Sequence, residues 1–170
     1  MPTSPCRLDM ARPFRQPYIV AIMTQAIKPG SKQRVLEVGT GSGYQAAVLA
    51  ELVAEVYTIE LISELAEEAA GRLKKLGYNN VHAKAGDGYK GWPERAPFDA
   101  ILVTCGAEHV PEPLVKQLKP GGTMVIPVGN VRKGQWLRVI TKGADGKLES
   151  RDVLPVRFVP LRRESDLKAK

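Results

Sequence analysis

The sequence predicts an α/β fold whose doubly wound sheet is mostly parallel and becomes antiparallel at its C-terminal edge. First, short apolar runs typical of buried strands alternate with segments of helical periodicity. Second, the run Val35–Val38 is followed by three glycines at alternate positions and then by a helical pattern over Gln45–Val53, the order that opens a nucleotide-binding α/β unit. Third, too few residues separate Pro127 from the strand Trp136–Thr141 for a crossover helix, so these strands must be antiparallel.

The other elements follow from the same patterns. An irregular N-terminal segment, residues 1–12, precedes a helix at Tyr18–Ile27, which Pro17 starts and Pro29-Gly30 ends. Ser63 is expected to be the N-cap of the next helix and Gly77 its C-cap. Further strands are predicted at Val56–Glu60, Val81–Ala85, Pro97–Thr104, Thr123–Pro127 and Leu148–Val153, and further helices at Ser63–Leu76 and Pro111–Leu118.

The turns separate these elements. Residues 119–122 are expected to form a tight turn before the strand that ends at Pro127, and Gly129-Asn130 to turn the following hairpin. Residues 156–161 are predicted to be extended, and residues 163–170 to be a solvated tail. The whole chain, residues 1–170, is therefore expected to be a single domain.

Composition excludes several classes of protein. Hydrophobic residues make up 44% and charged residues 25% of the chain, as in a soluble globular domain, and no apolar run is long enough to span a bilayer. Cys6 and Cys105 form no disulfide framework, and no secretory signal is visible, so a cytoplasmic monomer is expected. His82 and His109 lie at no metal-ligand spacing, so no metal is predicted.

The glycine-rich stretch suggests which cofactor binds. A dinucleotide fingerprint is G-x-G-x-x-G, but here the third glycine comes one position early, at Gly43, and Tyr44 stands where the fingerprint needs glycine. Glu37 precedes the first glycine by two positions, and its carboxylate would repel a pyrophosphate. S-adenosylmethionine carries positive charge and no phosphate. The pattern E-x-G-x-G-x-G therefore indicates the S-adenosylmethionine loop of Rossmann-like methyltransferases, formed by Glu37, Gly39, Thr40, Gly41 and Gly43. The alternative is a glycine-rich turn without a ligand.

Two further strand ends carry carboxylates. Glu60 lies at the end of the second strand, where such a fold places an acid on the ribose hydroxyls, although it would also suit a helix cap. Gly86-Asp87-Gly88 follows the third strand, and is either a plain turn or an acceptor for the adenine amino group.

Charge is uneven along the chain. Residues 1–34 carry six basic and one acidic side chains, residues 35–130 carry eight and twelve, and residues 131–170 carry eleven and five, giving +5, −4 and +6. The basic ends are either ordinary solvated surface or a rim that attracts an anionic substrate. No nucleic-acid motif is present, so nucleic acid is not the expected partner.

Together these motifs resemble the protein-L-isoaspartate O-methyltransferase family over about residues 13–162. The resemblance rests on the set Gln16-Pro17-Tyr18, residues 35–44, Gly86-Asp87-Gly88, Pro97–Ile101, Leu118–Gly122, Val125–Gly129 and Val156–Leu161. It implies transfer of a methyl group from S-adenosylmethionine to the α-carboxylate of L-isoaspartyl residues in damaged proteins and peptides. It also implies that Glu60 and Leu61 contact the ribose and adenine, and that Gly86 and Asp87 contact the adenine. Gln16, Val159, Pro160 and Leu161 are implied to line the peptide groove, although ordinary edge packing is the alternative for these residues, above all for Leu161.

Two departures from the family pattern keep alternatives open. Arg15 stands where such relatives carry a serine hydroxyl beside the methyl-transfer site, and Met1–Arg12 is shorter than the family's helical N-terminal segment. Arg15 is the candidate catalytic residue because its guanidinium can pair with a carboxylate. The alternatives are a catalytically impaired relative that binds S-adenosylmethionine, and another class of methyltransferase acting on RNA.

Overall fold

The computed structural model describes residues 17–130 and 132–167. Its elements are helix α1 (Pro17–Ala26), strand β1 (Arg34–Val38), helix α2 (Tyr44–Ala50), strand β2 (Glu55–Glu60), helix α3 (Ser63–Lys75), strand β3 (Val81–Ala85), strand β4 (Phe98–Val103), helix α4 (Glu112–Gln117), and strands β5 (Leu118–Asn130), β6 (Gly134–Lys142) and β7 (Leu148–Val156). Short 3-10 turns cover Pro93–Arg95 and Glu164–Leu167.

The strands form one sheet of seven in the order β3-β2-β1-β4-β5-β6-β7. Pairs among β1 to β5 are parallel, with Val35 of β1 opposite Val56 of β2 and Ala100 of β4. Strands β6 and β7 are antiparallel to their neighbours. The predicted fold class is confirmed, including the antiparallel C-terminal edge.

Apolar side chains pack on both faces of the sheet. Side chains of α1, α2 and α3 cover one face, where Met23, Leu49 and Leu73 pack around Val35 and Leu102. On the other face, α4 and the following strand bury Leu114 and Leu118 among a second set of core residues. Successive residues of each central strand thus point into different cores, as expected for strands buried on both sides. None of the helices among the described residues is long and apolar enough to cross a membrane.

Local predictions differ from the structure in several places. Ser63 is the first residue of α3 rather than its N-cap, which is Ile62. The expected turn at residues 119–122 is a bulge inside β5, because Phe98 pairs with Leu118 and Ala100 with Thr123. Gly129 and Asn130 are strand residues, and the hairpin turns after them.

Within the predicted tail, residues 163–167 are described and are more ordered than expected, although the side chains of residues 163–166 are exposed. A 3-10 turn covers Glu164–Leu167, and the Arg163 guanidinium carbon lies 4.1 Å from the centre of the Tyr89 ring. This cation–π contact attaches the segment around Arg163 to the loop after β3.

Candidate active site

The sheet order creates a crevice between β1 and β4. From β1 the chain winds outward through β2 and β3, and then returns to the other side of β1 with β4. Connections on either side of this switch point diverge, and ligands of open α/β sheets bind in the resulting crevice at the carboxyl ends of the strands. The predicted cofactor residues lie at or just after the carboxyl ends of β1, β2 and β3 at this edge.

The glycine loop that follows β1 requires its glycines. Gly39, Gly41 and Gly43 have φ angles of 98°, 53° and 81°, in the left-handed region that side chains disfavour. The loop is tied to the neighbouring strand because the Gly39 N–H donates to the Ile59 carbonyl at 2.7 Å. It closes on itself through a 2.9 Å bond from the Gly43 N–H to the Thr40 carbonyl. The turn therefore brings a bare backbone to the crevice before α2 begins.

Glu37 supports this loop from inside the fold. Its side chain is fully buried, and its carboxylate accepts a hydrogen bond of 2.7 Å from the Thr58 hydroxyl. The Thr58 and Thr40 hydroxyls lie 2.6 Å apart. A buried polar chain thus runs from the acid through β2 to the glycine loop, a connection that local sequence patterns do not reveal.

Glu60 faces the loop from the end of β2. One carboxylate oxygen accepts the Gly41 N–H at 2.9 Å, and the other accepts the Ile62 N–H at 3.3 Å. A carboxylate has about four acceptor positions, so these contacts leave room for further donors such as ribose hydroxyls. The half-buried Leu61 follows it directly.

The loop after β3 reaches the same crevice. The Gly86 N–H donates to the Glu60 carbonyl at 2.8 Å, so these two strand ends are adjacent. Asp87 Oδ1 accepts the Tyr89 N–H at 2.9 Å. The turn interpretation and the ligand interpretation of Asp87 are therefore compatible, because this bond engages one carboxylate oxygen.

Thr104, at the end of β4, is a site residue that the sequence did not single out. Its buried hydroxyl lies 2.7 Å from both the Val38 and the Gly39 carbonyl oxygens. One hydroxyl thereby fixes the end of β4 to the start of the glycine loop across the switch point. The sequence does show a polar residue directly after an apolar strand, but this pattern is too common to indicate a site residue.

The predicted substrate segment is attached to the loop after β4. The Gly106 N–H donates to the Val159 carbonyl at 2.8 Å, and its carbonyl accepts the Leu161 N–H at 2.7 Å. Val159 is 56% exposed and Pro160 is also exposed. The half-buried Leu161 packs against the second core. Two of the three side chains are thus available to a ligand, whereas Leu161 also has a packing role.

A buried glutamine holds this segment from below. Gln135, 2% exposed, accepts the Phe158 N–H through Oε1 at 2.6 Å. Its Nε2 is buried without a hydrogen-bond partner among the described residues. A Cβ on Gly106 would overlap the Gln135 amide. Gln135 lies twenty-three residues from Phe158 in sequence, and its role depends on the hairpin.

The predicted catalytic Arg15 and the substrate residue Gln16 lie outside the described residues. Helix α1 starts immediately after them, at Pro17. Its buried Thr24 hydroxyl accepts a 2.9 Å hydrogen bond from Gln45 Nε2 on α2. Helix α1 is thereby attached to the helix that follows the glycine loop.

A cleft of about 550 Å³ opens beside the Val159–Leu161 segment. It is formed by the loops after β3, β4 and β5 and by the C-terminal segment, and is lined by Tyr89, Gly106, Glu108, His109, Gly129, Asn130, Arg132, Pro160, Leu161 and Arg163. Burial raises the pKa of the Tyr89 phenol, although Arg163 opposes this change. In residues 17–130 and 132–167, no group of three His, Cys, Asp or Glu side chains is placed to hold a metal ion.

Comparison with known proteins gives a consistent result. A sequence model of the family described as protein-L-isoaspartate(D-aspartate) O-methyltransferase matches residues 3–166. Protein-L-isoaspartate O-methyltransferase 1 of Nitrosospira multiformis is 57% identical over 158 residues, which are 93% of this chain and 67% of the relative. Protein-L-isoaspartate O-methyltransferase 2 of Syntrophobacter fumaroxidans is 57% identical over 92% of this chain and 64% of its own length.

A solved structure described as a protein-L-isoaspartate O-methyltransferase aligns with a TM-score of 0.82 and 33% identity, over 88% of this chain and 48% of its own. The chain therefore spans about two thirds of the length of these curated relatives and about half of that structure.

Proposed function

The chain belongs to the protein-L-isoaspartate O-methyltransferase family, and from this we propose that it moves a methyl group from S-adenosylmethionine to the α-carboxylate of L-isoaspartyl residues in damaged proteins and peptides. The methyl ester would then cyclise to a succinimide that partly reopens as normal aspartate. The protein would act as a repair enzyme.

One observation carries the proposal: the strand ends of one crevice hold both the expected cofactor residues and the expected substrate segment. Glu60 contacts the glycine loop through Gly41, while Gly106 attaches Val159 and Leu161 at the neighbouring strand end. A methyl donor on the first set would lie beside a peptide on the second. Such proximity is the main requirement for a displacement reaction.

We propose specific roles for the cofactor residues. The N–H groups of the glycine loop would donate to the carboxylate of the methionine part of the ligand, the Glu37 carboxylate would favour its positively charged groups, and the Glu60 carboxylate would accept the ribose hydroxyls. Leu61 would cover the adenine, and Asp87 would accept its amino group. The set is Glu37, Gly39, Thr40, Gly41, Gly43, Glu60, Leu61, Gly86 and Asp87.

The chemistry needs little beyond placement. A carboxylate is ionised at neutral pH, so its oxygen can attack the sulfonium methyl without a strong base. The new oxygen–carbon bond forms as the sulfur–carbon bond breaks, and the sulfur leaves neutral. Gln16, Val159, Pro160 and Leu161 would hold the peptide, and Arg15 would pair with its carboxylate.

We also propose that the protein is a cytoplasmic monomer. The two cysteines, Cys6 and Cys105, are far apart in the sequence and form no disulfide pattern, which suits a reducing compartment. Size-exclusion chromatography with light scattering would test the monomer, because a mass well above 18.6 kDa would contradict it.

A second candidate is a relative that binds S-adenosylmethionine but is impaired in methyl transfer. The observation that favours it is Arg15 at the position of a serine hydroxyl in similar proteins. A guanidinium would both fill space and lower the nucleophilicity of the carboxylate oxygen. Cofactor binding without turnover, with turnover gained on Arg15→Ser, would identify this case.

The direct test mixes the full chain with methyl-labelled S-adenosylmethionine and one peptide in isoaspartyl and aspartyl forms. We expect base-labile label on the isoaspartyl form alone, since only an ester of that carboxylate is formed. Equal labelling of both forms, or label on RNA instead, would contradict the proposed substrate.

A further inference from the structure

The cleft beside the substrate segment carries two arginines that are not held in ion pairs with acids of the described residues. Arg132 and Arg163 both line it. Among the described residues, neither forms an ion pair within 4.0 Å. Both belong to residues 131–170, which carry eleven basic and five acidic side chains.

Arg163 is held in place by its ring contact. Its guanidinium carbon lies 4.1 Å from the Tyr89 ring centre. Its backbone N–H donates to Asp166 Oδ2 at 2.7 Å. A guanidinium stacked on an aromatic face keeps its in-plane N–H donors available. The planar group is therefore positioned for a bidentate acceptor.

Arg132 lines the cleft from a different segment, the turn after β5. Its backbone N–H donates to Asn130 Oδ1 at 2.8 Å, after β5, and its side chain is exposed. Since Asn130 Nδ2 also donates to Glu108 at 3.2 Å, one asparagine organises this end of the cleft.

The acids around the cleft already accept hydrogen bonds. Glu108 accepts from Asn130, Asp166 from the Arg163 backbone, and Asp87 from the Tyr89 backbone. His109 is exposed. The hydrogen bonds to these acids come from neutral donors and leave the carboxylates charged, but among the charged side chains that line the cleft Arg132 and Arg163 outnumber Glu108, so a carboxylate supplied by the ligand would complement the lining.

We propose that this cleft receives the chain flanking the isoaspartate, and that Arg132 and Arg163 make the enzyme prefer substrates with an acidic residue beside the damaged site. The cleft adjoins the segment proposed to bind the isoaspartyl residue, because Pro160 and Leu161 line both. The inference rests on the proposed function for its substrate. It adds a preference for certain substrate sequences, which Arg132 and Arg163 of this chain would create.

The test uses isoaspartyl peptides that differ only in Glu, Gln or Lys at positions flanking the isoaspartate. Methyl transfer (kcat/KM) and direct binding by fluorescence anisotropy are measured with the full chain. Variants are Arg132→Gln, Arg163→Gln and the charge-keeping Arg163→Lys. Arg151→Gln, an exposed change on β7, is the matched control. Circular dichroism confirms that each variant folds.

We expect the wild type to bind the Glu peptide roughly three- to tenfold more tightly than the Lys peptide, as partly exposed charge pairs allow. Salt should reduce that ratio. Arg132→Gln and Arg163→Gln should each reduce it, while Arg163→Lys and Arg151→Gln should retain it. The same affinity for all three peptides, or a preference unchanged in both Gln variants, would overturn the inference.

Two other outcomes distinguish a failure of the charge preference from a failure of the proposed methyl-transfer function. Methyl transfer that ignores flanking charge would leave the proposed function standing and reject the charge preference. Absence of transfer to every isoaspartyl peptide would reject the function, while anisotropy still reports whether the cleft selects carboxylates. An RNA oligonucleotide that displaces the Glu peptide from the wild type, but does not bind Arg132→Gln, would assign the cleft to phosphate instead.

Discussion

Two glycines of the loop after β3 have different reasons for lacking a side chain. A Cβ on Gly88 would lie 2.5 Å from Val38 Cγ1 and 3.3 Å from Leu161 Cδ1, whereas a Cβ on Gly86 would meet only ordinary contacts at 3.8 Å. Gly88 is therefore required by packing. Gly86 is not, and under the proposed function the close approach of S-adenosylmethionine would account for a glycine there.

This difference predicts opposite results for two alanine variants. Gly88→Ala should lower the free energy of unfolding by about 1–3 kcal/mol, as overpacking does. Gly86→Ala should leave stability nearly unchanged but weaken S-adenosylhomocysteine binding severalfold. Urea denaturation and calorimetry measure the two quantities, and a Gly86→Ala protein that is destabilised but binds normally would contradict this division.

Gln135 acts on the substrate segment through its amide. Replacing it with methionine preserves volume but leaves the Phe158 N–H without its 2.6 Å acceptor. We expect about 1–3 kcal/mol of destabilisation and a raised KM for the isoaspartyl peptide, with the affinity for S-adenosylmethionine little changed. Gln25→Met on the exposed side of α1 is the control. An equal loss of cofactor affinity would show that Gln135 has a general structural role instead.

At the scale of elements, Asp99 joins three strands at the amino end of the sheet. It accepts the Arg34 N–H of β1 at 2.8 Å and the Lys119 ammonium of β5 at 2.7 Å. Burial opposes ionisation, but Lys119 and the Arg34 N–H outweigh it and lower the pKa of Asp99. The run from Pro97 to Ile101 thus has a structural role for its central acid.

The lowered pKa of Asp99 fixes the sign of a pH effect. Because the folded-state pKa lies below the unfolded value of about 3.9, the stabilisation is fully present above that value and is lost as pH falls through the folded pKa. Asp99→Asn should therefore destabilise the protein by about 1–2 kcal/mol at pH 7, with a smaller difference near pH 3. Urea titrations at both pH values, with exposed Glu149→Gln as control, measure it. A difference that does not change with pH would contradict the assignment.

The elements themselves were largely predictable because their signals are local. The glycine spacing from Gly39 to Gly43 and the carboxylate of Glu60 follow from short motifs. The contacts between distant residues were not predictable: Gln135 with Phe158, Thr104 with Gly39, and the bulge at residues 119–122. Each depends on register across neighbouring strands, which a single sequence does not encode locally.

At the scale of the whole molecule, the strand order brings the carboxylates of Glu37 and Glu60 to one crevice. A buried carboxylate beneath the glycine loop and a second one facing Gly41 both disfavour a pyrophosphate. At about one hundred times its dissociation constant, S-adenosylhomocysteine should stabilise the fold by about 2.7 kcal/mol, which raises Tm by roughly 5–10 °C. NAD should give no shift, and scanning calorimetry of both samples measures this. A larger shift with NAD would contradict the cofactor assignment.

The measurement that tests the proposed function most directly follows the substrate itself. An isoaspartyl peptide is incubated with the full chain and excess S-adenosylmethionine, and its isomers are separated by chromatography over repeated rounds of methylation. We predict that the isoaspartyl form declines while the normal aspartyl form accumulates, with the succinimide between them. An isoaspartyl peptide that remains unchanged, while S-adenosylmethionine is bound or consumed, would contradict the proposed repair function.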